Sequence, residues 1–227
     1  MNDLLTMDMK PSVAKDFKRV HSVITRGLQI TIEKTGDVIQ RKSLDSCTFN
    51  GFLDYLRSLT SFLQAHHLTE DELAFPMFQK KSLEAPYDLL MKDHVKMIKI
   101  LNELNPVIQK LAANNQESSS AKKIHKLLRK LQDIWGPHIQ KEESHFTEND
   151  IDTRFSADEQ KQMSMQFAEH AMKNSGPDYL VVPFILYNLS GEDRKIISQL
   201  MPPVVTQELI PITWKDKWAP MKPFLLE

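Results

Sequence analysis

The most constraining feature of this sequence is a set of polar residues at positions that the hydrophobic pattern assigns to a helical core. Four long segments carry apolar residues at alternating spacings of three and four, the mark of one buried face per helix in a bundle. In the first segment Phe17, His21, Ile24 and Leu28 share a stripe. In the second the stripe is Phe52, Leu56, Leu59, Leu63, His66, Glu70, Leu73 and Met77. In the third it is Tyr87, Leu90, His94, Met97, Leu101, Leu104, Ile108 and Leu111. In the fourth it is Ile124, Leu128, Leu131, Trp135, His138, Glu142 and His145. A buried carboxylate without a partner is costly. Glu70 and Glu142 therefore need a counter-charge, and a metal cation next to buried histidines is the simplest one.

The spacing sharpens this reading. His66-x3-Glu70 and His138-x3-Glu142 each span one helical turn, so both members of each pair face the same way. His21 precedes His66 by 45 residues (66 − 21), and His94 precedes His138 by 44 (138 − 94). The chain thus repeats one unit, a helix with a lone His followed by a helix with His-x3-Glu. With helix starts near Pro11 and Pro86 and helix ends near Lys80 and Glu148, the rise of about 1.5 Å per residue brings all six residues to one level of an antiparallel bundle. Imidazole and carboxylate donors suit iron, manganese or zinc, the scarcity of thiolates argues against copper(I) and iron–sulfur clusters, and two carboxylates can bridge two metals.

The rest of the sequence agrees with an all-α fold. Only 6 of 227 residues are glycine, helix formers abound, and no stretch alternates like a strand. Thr35-Gly36-Asp37 is expected to end the first helix, Ser82–Pro86 to separate the second from the third, and Asn114–Ser120 to link the third to the fourth. Pro106 and Gly136-Pro137 are expected to kink their helices. Loops this short favour an up-down-up-down arrangement of antiparallel neighbours. A net charge of −1 argues against nucleic acid as a partner. The single Cys47 allows no intrachain disulfide. With no secretory leader at Met1–Lys10, a cytoplasmic location is expected. The apolar run Tyr179–Tyr187 is too short to span a bilayer, so no membrane partner is expected.

The residues His21, His66-His67-Leu68-Thr69-Glu70-Asp71-Glu72 with Phe75-Pro76, Asp93-His94, and His138-Ile139-Gln140-Lys141-Glu142-Glu143 together resemble the hemerythrin-like (HHE cation-binding) family. The resemblance covers roughly residues 11–150 and implies a non-haem di-iron site, with two iron ions as cofactor. By that resemblance Glu70 and Glu142 match bridging carboxylates, and His21, His66, His94 and His138 match terminal ligands. Members bind oxygen reversibly, sense iron or oxygen, or help repair iron clusters. The oxygen carriers have two histidines one turn apart in their third helix. Here Leu90 and Ile98 stand at that spacing from His94, which speaks against simple oxygen carriage. His67 is a candidate for the missing ligand, with a place behind a ligand or on the surface as the alternative, and His145 reads equally as a residue that orients a ligand from behind or as a helix-end surface residue. His125 and His170 read as ordinary exposed histidines, and Glu72 and Glu143 as solvated charges first, with supporting a ligand from behind as the lesser alternative.

Residues 151–227 exceed a minimal bundle. Ser156-Ala157-Asp158-Glu159 is a capping box that opens a helix to about Lys173. Ser190-Gly191 opens another that ends before Pro202-Pro203, and Val204–Leu209 forms a short third. The extension would close over the metal site and shape a pocket, form a dimer interface, or simply add core. Two functions are consistent with the sequence. One is binding or activation of dioxygen or another diatomic, with a small-molecule substrate. The other is an oxygen, nitric oxide or iron sensor or scavenger without turnover.

Overall fold

The computed structural model describes residues 11–40, 44–113 and 118–226. Among them every regular element is helical. Helix α1 (Val13–Ile39) starts at Ser12, whose hydroxyl accepts from the Lys15 amide. It runs through Gly36, so the expected stop at Thr35-Gly36-Asp37 does not occur. The helix instead gains a last turn in which the Gln40 amide donates to the Gly36 carbonyl. Helix α2 (Ser46–Thr69) is capped by Asp45, which accepts from the amides of Cys47 and Thr48. It continues directly into a π-helical turn (Glu70–Ala74) and then α3 (Phe75–Lys80).

That π turn corrects the stripe read from the sequence. One extra residue in the turn advances the register, so Ala74, Phe75 and Phe78 are buried where Leu73 and Met77 were expected. Leu73 and Met77 are half-buried instead. Helices α4 (Tyr87–Ala113) and α5 (Ser118–His145) run through Pro106 and Pro137 respectively. The expected linker Asn114–Ser120 lies partly outside the described residues, and Ser118–Ser120 already belong to α5.

Helix α1 lies against α2 and α5, and α4 lies against the same two. His21 meets Glu143 while Thr35 meets His125. His67 meets His94 while Phe75 meets Tyr87. His94 meets His138 while Tyr87 meets Phe146. One core fills the end of the bundle around Phe52, Leu56, Leu101, Leu128 and Leu131, and a second around Phe17, Phe75, Phe78, Leu90 and Phe146. The polar residues of the stripes sit between them.

The rest of the chain wraps α2. A short α6 (Glu148–Asp152) leads to α7 (Ala157–Asn174), which carries the expected Ser156/Glu159 capping box. Then follow α8 (Asp178–Tyr187), α9 (Gly191–Leu200), a second π-helical stretch (Val205–Thr213), α10 (Lys215–Trp218) and a 3-10 turn (Ala219–Phe224). Leu180, Phe184, Trp218, Met221 and Phe224 join the first core. The 3-10 turn seats so closely on α2 that a Cβ on Gly51 would stand 1.8 Å from the Pro220 carbonyl oxygen. Tyr55 donates to Asn188 at 2.6 Å, and Arg26 donates to the Phe224 carbonyl at 3.0 Å, tying α2 and α1 to this wrap. No helix among the described residues is long and apolar enough to cross a membrane.

Candidate metal centre

Each long helix contributes to one buried cluster. Helix α1 supplies His21, α2 supplies His66 and His67, the first residue of the π turn is Glu70, α4 supplies His94, and α5 supplies His138 and Glu142. None of these seven is more than 6% exposed.

The two carboxylates stand between two sets of histidines. Glu70 turns Oε1 to His66 Nε2 at 3.3 Å and Oε2 to His94 Nε2 at 3.4 Å. Glu142 turns Oε2 to His21 Nε2 at 3.2 Å and Oε1 to His138 Nε2 at 3.2 Å. His94 Nε2 and His138 Nε2 face each other at 3.1 Å. Ligand atoms of His21, His66, Glu70 and Glu142 lie within 4.8 Å of one another. So do those of Glu70, His94, His138 and Glu142, and those of His67, His94 and His138.

These atoms lack other partners. His21 Nε2, His66 Nε2, both ring nitrogens of His67, His138 Nδ1 and all four oxygens of Glu70 and Glu142 are buried without a hydrogen bond. Buried polar atoms are almost always paired, so this cluster of unpaired nitrogens and carboxylate oxygens calls for a ligand that accepts lone pairs. The donor set fits a cation, which satisfies nitrogens and carboxylate oxygens together.

Electrostatics separates the members. Burial drives His66 and His67 well below the ordinary histidine range, and the neighbouring imidazoles add to this. Both are thus neutral at neutral pH, the form that ligates metal. Burial opposes a charge on His21 as well, but the Glu142 and Glu143 carboxylates outweigh it and hold its pKa above 6.5. Burial raises Glu70 well above the usual carboxylate range, reinforced by Glu142 and Asp71. Burial also opposes ionisation of Glu142, yet the flanking His138 and His21 hold it below that range.

Two outer carboxylates fix rings from behind. Asp71 Oδ1 lies 2.7 Å from His94 Nδ1, and Glu143 Oε1 lies 2.9 Å from His21 Nδ1. Such a contact sets the tautomer and aims Nε2 inward. Sequence reasoning took Glu143 first for a solvated charge and passed over Asp71. The only hint was that each directly follows a stripe glutamate. His67, one of two alternatives for an added ligand, lies fully buried and stacked on His94, with ring centroids 4.3 Å apart. Helix α2 is covered on several sides, so neighbouring residues 66 and 67 both face inward, His66 towards α1 and His67 towards α4. His145 is not brought to the cluster. Its Nδ1 lies 2.7 Å from the Lys141 carbonyl of its own helix, and Phe146 takes the interior position. His125 and His170 are not ordinary exposed histidines. His125 meets Thr35 and the Ile32 carbonyl, and His170 meets Thr69 and Glu72.

Apolar rings close the cluster. Trp135 lies 5.6–6.2 Å from the rings of His21, His66, His67 and His138. Phe75 stacks on His94 at 5.6 Å, and Phe17 meets His21 edge-on. A cavity of about 260 Å³ between α1 and α5 reaches His21 and Glu143, bordered by Thr25, Arg26 and Ile139.

No curated protein and no solved structure gives a significant match to the chain. The family model of the hemerythrin HHE cation binding domain matches residues 12–148, the segment that carries all seven cluster residues. The chain belongs to the hemerythrin HHE cation-binding domain family.

Proposed function

We propose that the chain holds two iron ions at this cluster and uses them to bind or activate dioxygen or another small diatomic. The observation that carries this reading is the sharing of Glu70 and Glu142 between two histidine sets, with all four carboxylate oxygens and the Nε2 atoms of His21 and His66 buried without a hydrogen bond. His21 and His66 would hold one ion, and His94, His138 and His67 the other. Both carboxylates would bridge. His67 thereby takes the place that Leu90 and Ile98 leave without a histidine on α4. Imidazole and carboxylate donors without thiolate favour iron over softer-ligand metals, with manganese or zinc as the alternatives. A bound iron pair supplies reversible electron donation to a diatomic ligand.

The protein's own residues provide the setting. Asp71 and Glu143 keep Nε2 of His94 and His21 aimed inward. Trp135, Phe17 and Phe75 exclude bulk water. The cavity beside His21 gives a small ligand a route between α1 and α5, and its size supports a small substrate over a macromolecule. We read α1, α2, α4 and α5 as an antiparallel up-down-up-down bundle over residues 11–150, with 151–227 as an extension packed on it, and place the protein in the cytoplasm.

Metal analysis and absorption spectra of the protein purified in air test the proposal. About two irons per chain are expected, with absorption of a carboxylate-bridged ferric pair that His66→Ala removes. His67→Ala should retain one ion and bind the second more weakly. Absence of bound metal after anaerobic iron reconstitution would overturn it. The alternative, a sensor or scavenger of oxygen, nitric oxide or iron, rests on the same site. It predicts reversible ligand binding without consumption of a reductant.

A further inference from the structure

Among the described residues, the π turn Glu70–Ala74 is where the protein departs from regular helix inside the cluster. π turns are rare and frequently lie at functional sites. Here the brackets are Thr69 and Glu72, one on each side of Glu70 and Asp71. Both are held by one side chain, His170 of α7. Its Nδ1 lies 2.9 Å from Thr69 Oγ1, and its Nε2 lies 3.0 Å from Glu72 Oε2. Thr69 is itself fixed, since its hydroxyl donates to the Ala65 carbonyl at 2.8 Å. Asn174, one turn further along α7, donates to the His170 carbonyl.

We infer that His170 is a positioning residue for the metal centre, acting through the π turn. The inference rests on the proposed metal site and adds a role for α7, which lies outside the matched residues 12–148. The rotation of this turn sets where Glu70 stands between His66 and His94, and where Asp71 meets His94. With Thr69 and Glu72 both held, the Glu70–Asp71 part of the turn cannot rotate without straining these contacts. Helix α7 is separately anchored to α1 by Ser164, which donates to Asp16 at 2.7 Å, so the His170 contact can be removed while α7 stays docked.

The test uses the full chain, with His170→Ala and, as a control on α7 docking, Ser164→Ala. Ferrous iron affinity is measured anaerobically by competition with a chelator, and amide hydrogen exchange is followed at residues 69–75 of the metal-free protein. His170→Ala is expected to weaken iron binding by roughly tenfold or more, the range for groups that orient ligands, and to speed exchange in the π turn. Ser164→Ala should do neither. Wild-type affinity in His170→Ala, with or without faster exchange, would overturn the positioning role, as would equal losses in the two variants. If the wild type bound no iron, the metal reading would fail, and the exchange comparison alone would decide whether His170 holds the turn.

Discussion

Replacing Glu70 by methionine should invert the usual consequence of altering a core residue. Glu70 is 1% exposed and both its oxygens lack a partner. Burial holds its carboxyl well above the ordinary range. Without metal, the folded chain therefore keeps a proton that the unfolded chain releases. Its contribution to stability falls as pH rises from the usual carboxylate pKa towards the folded one. Methionine has similar length and no polar atom to leave unsatisfied. Relief of the buried unpaired oxygens is worth about 1–3 kcal/mol, and at this chain length each kcal/mol shifts Tm by about 2–4 °C. The metal-free Glu70→Met protein should thus melt roughly 2–12 °C above the metal-free wild type. Free iron at about a thousand times its Kd adds about 4 kcal/mol to the wild type, whereas the variant should gain little, so the order reverses. Thermal melts with and without ferrous iron, under nitrogen, read both numbers. A Glu70→Met protein that melts several degrees lower without metal, and still rises on iron addition, would refute the reasoning.

Other outcomes follow from the same geometry. Asp71→Asn should weaken iron binding by about 10- to 100-fold while leaving helix content unchanged, since it loosens the His94 ring alone; chelator competition with circular dichroism checks this. Iron loading near neutral pH should release protons from His21 and Glu70, whose pKa values are both raised in the fold, so affinity should rise with pH; calorimetry in buffers of different ionisation enthalpy would show no buffer dependence if this is wrong. Gly51→Ala drives a Cβ into the Pro220 carbonyl and should destabilise the chain by about 1–3 kcal/mol, visible in urea melts, with little change in iron stoichiometry.

Much of the site was legible because helical periodicity is a strong signal wherever a helix is regular. The α4 stripe is buried at every expected position from Tyr87 to Leu111, with His94 among them. The reading lost register at Glu70, where a period of 3.6 was carried across a π turn that the local sequence does not announce. Phe75 and Phe78 were therefore missed as walls of the site. His67 stayed ambiguous because an apolar stripe assumes one buried face, while α2 is covered by α1, α4, α7, α8 and the 3-10 turn. Of the two places read for His145, the structure shows the helix end, since α5 stops there and Phe146 turns inward after it. Asp71 and Glu143 act through contacts between helices, which no spacing along one helix encodes.

The arrangement of Glu70 and Glu142 has one consequence for how the centre fills. Each carboxylate offers one oxygen to either histidine set. On the proposed two-ion filling, binding at the first set would displace the Glu70 proton to solvent and orient both carboxylates, which would leave less of that work for the second. Loading should be cooperative, with half-filled chains scarce at intermediate iron levels. Losing either carboxylate would uncouple the two positions, whereas losing one histidine would weaken its own position directly and the other through the coupling.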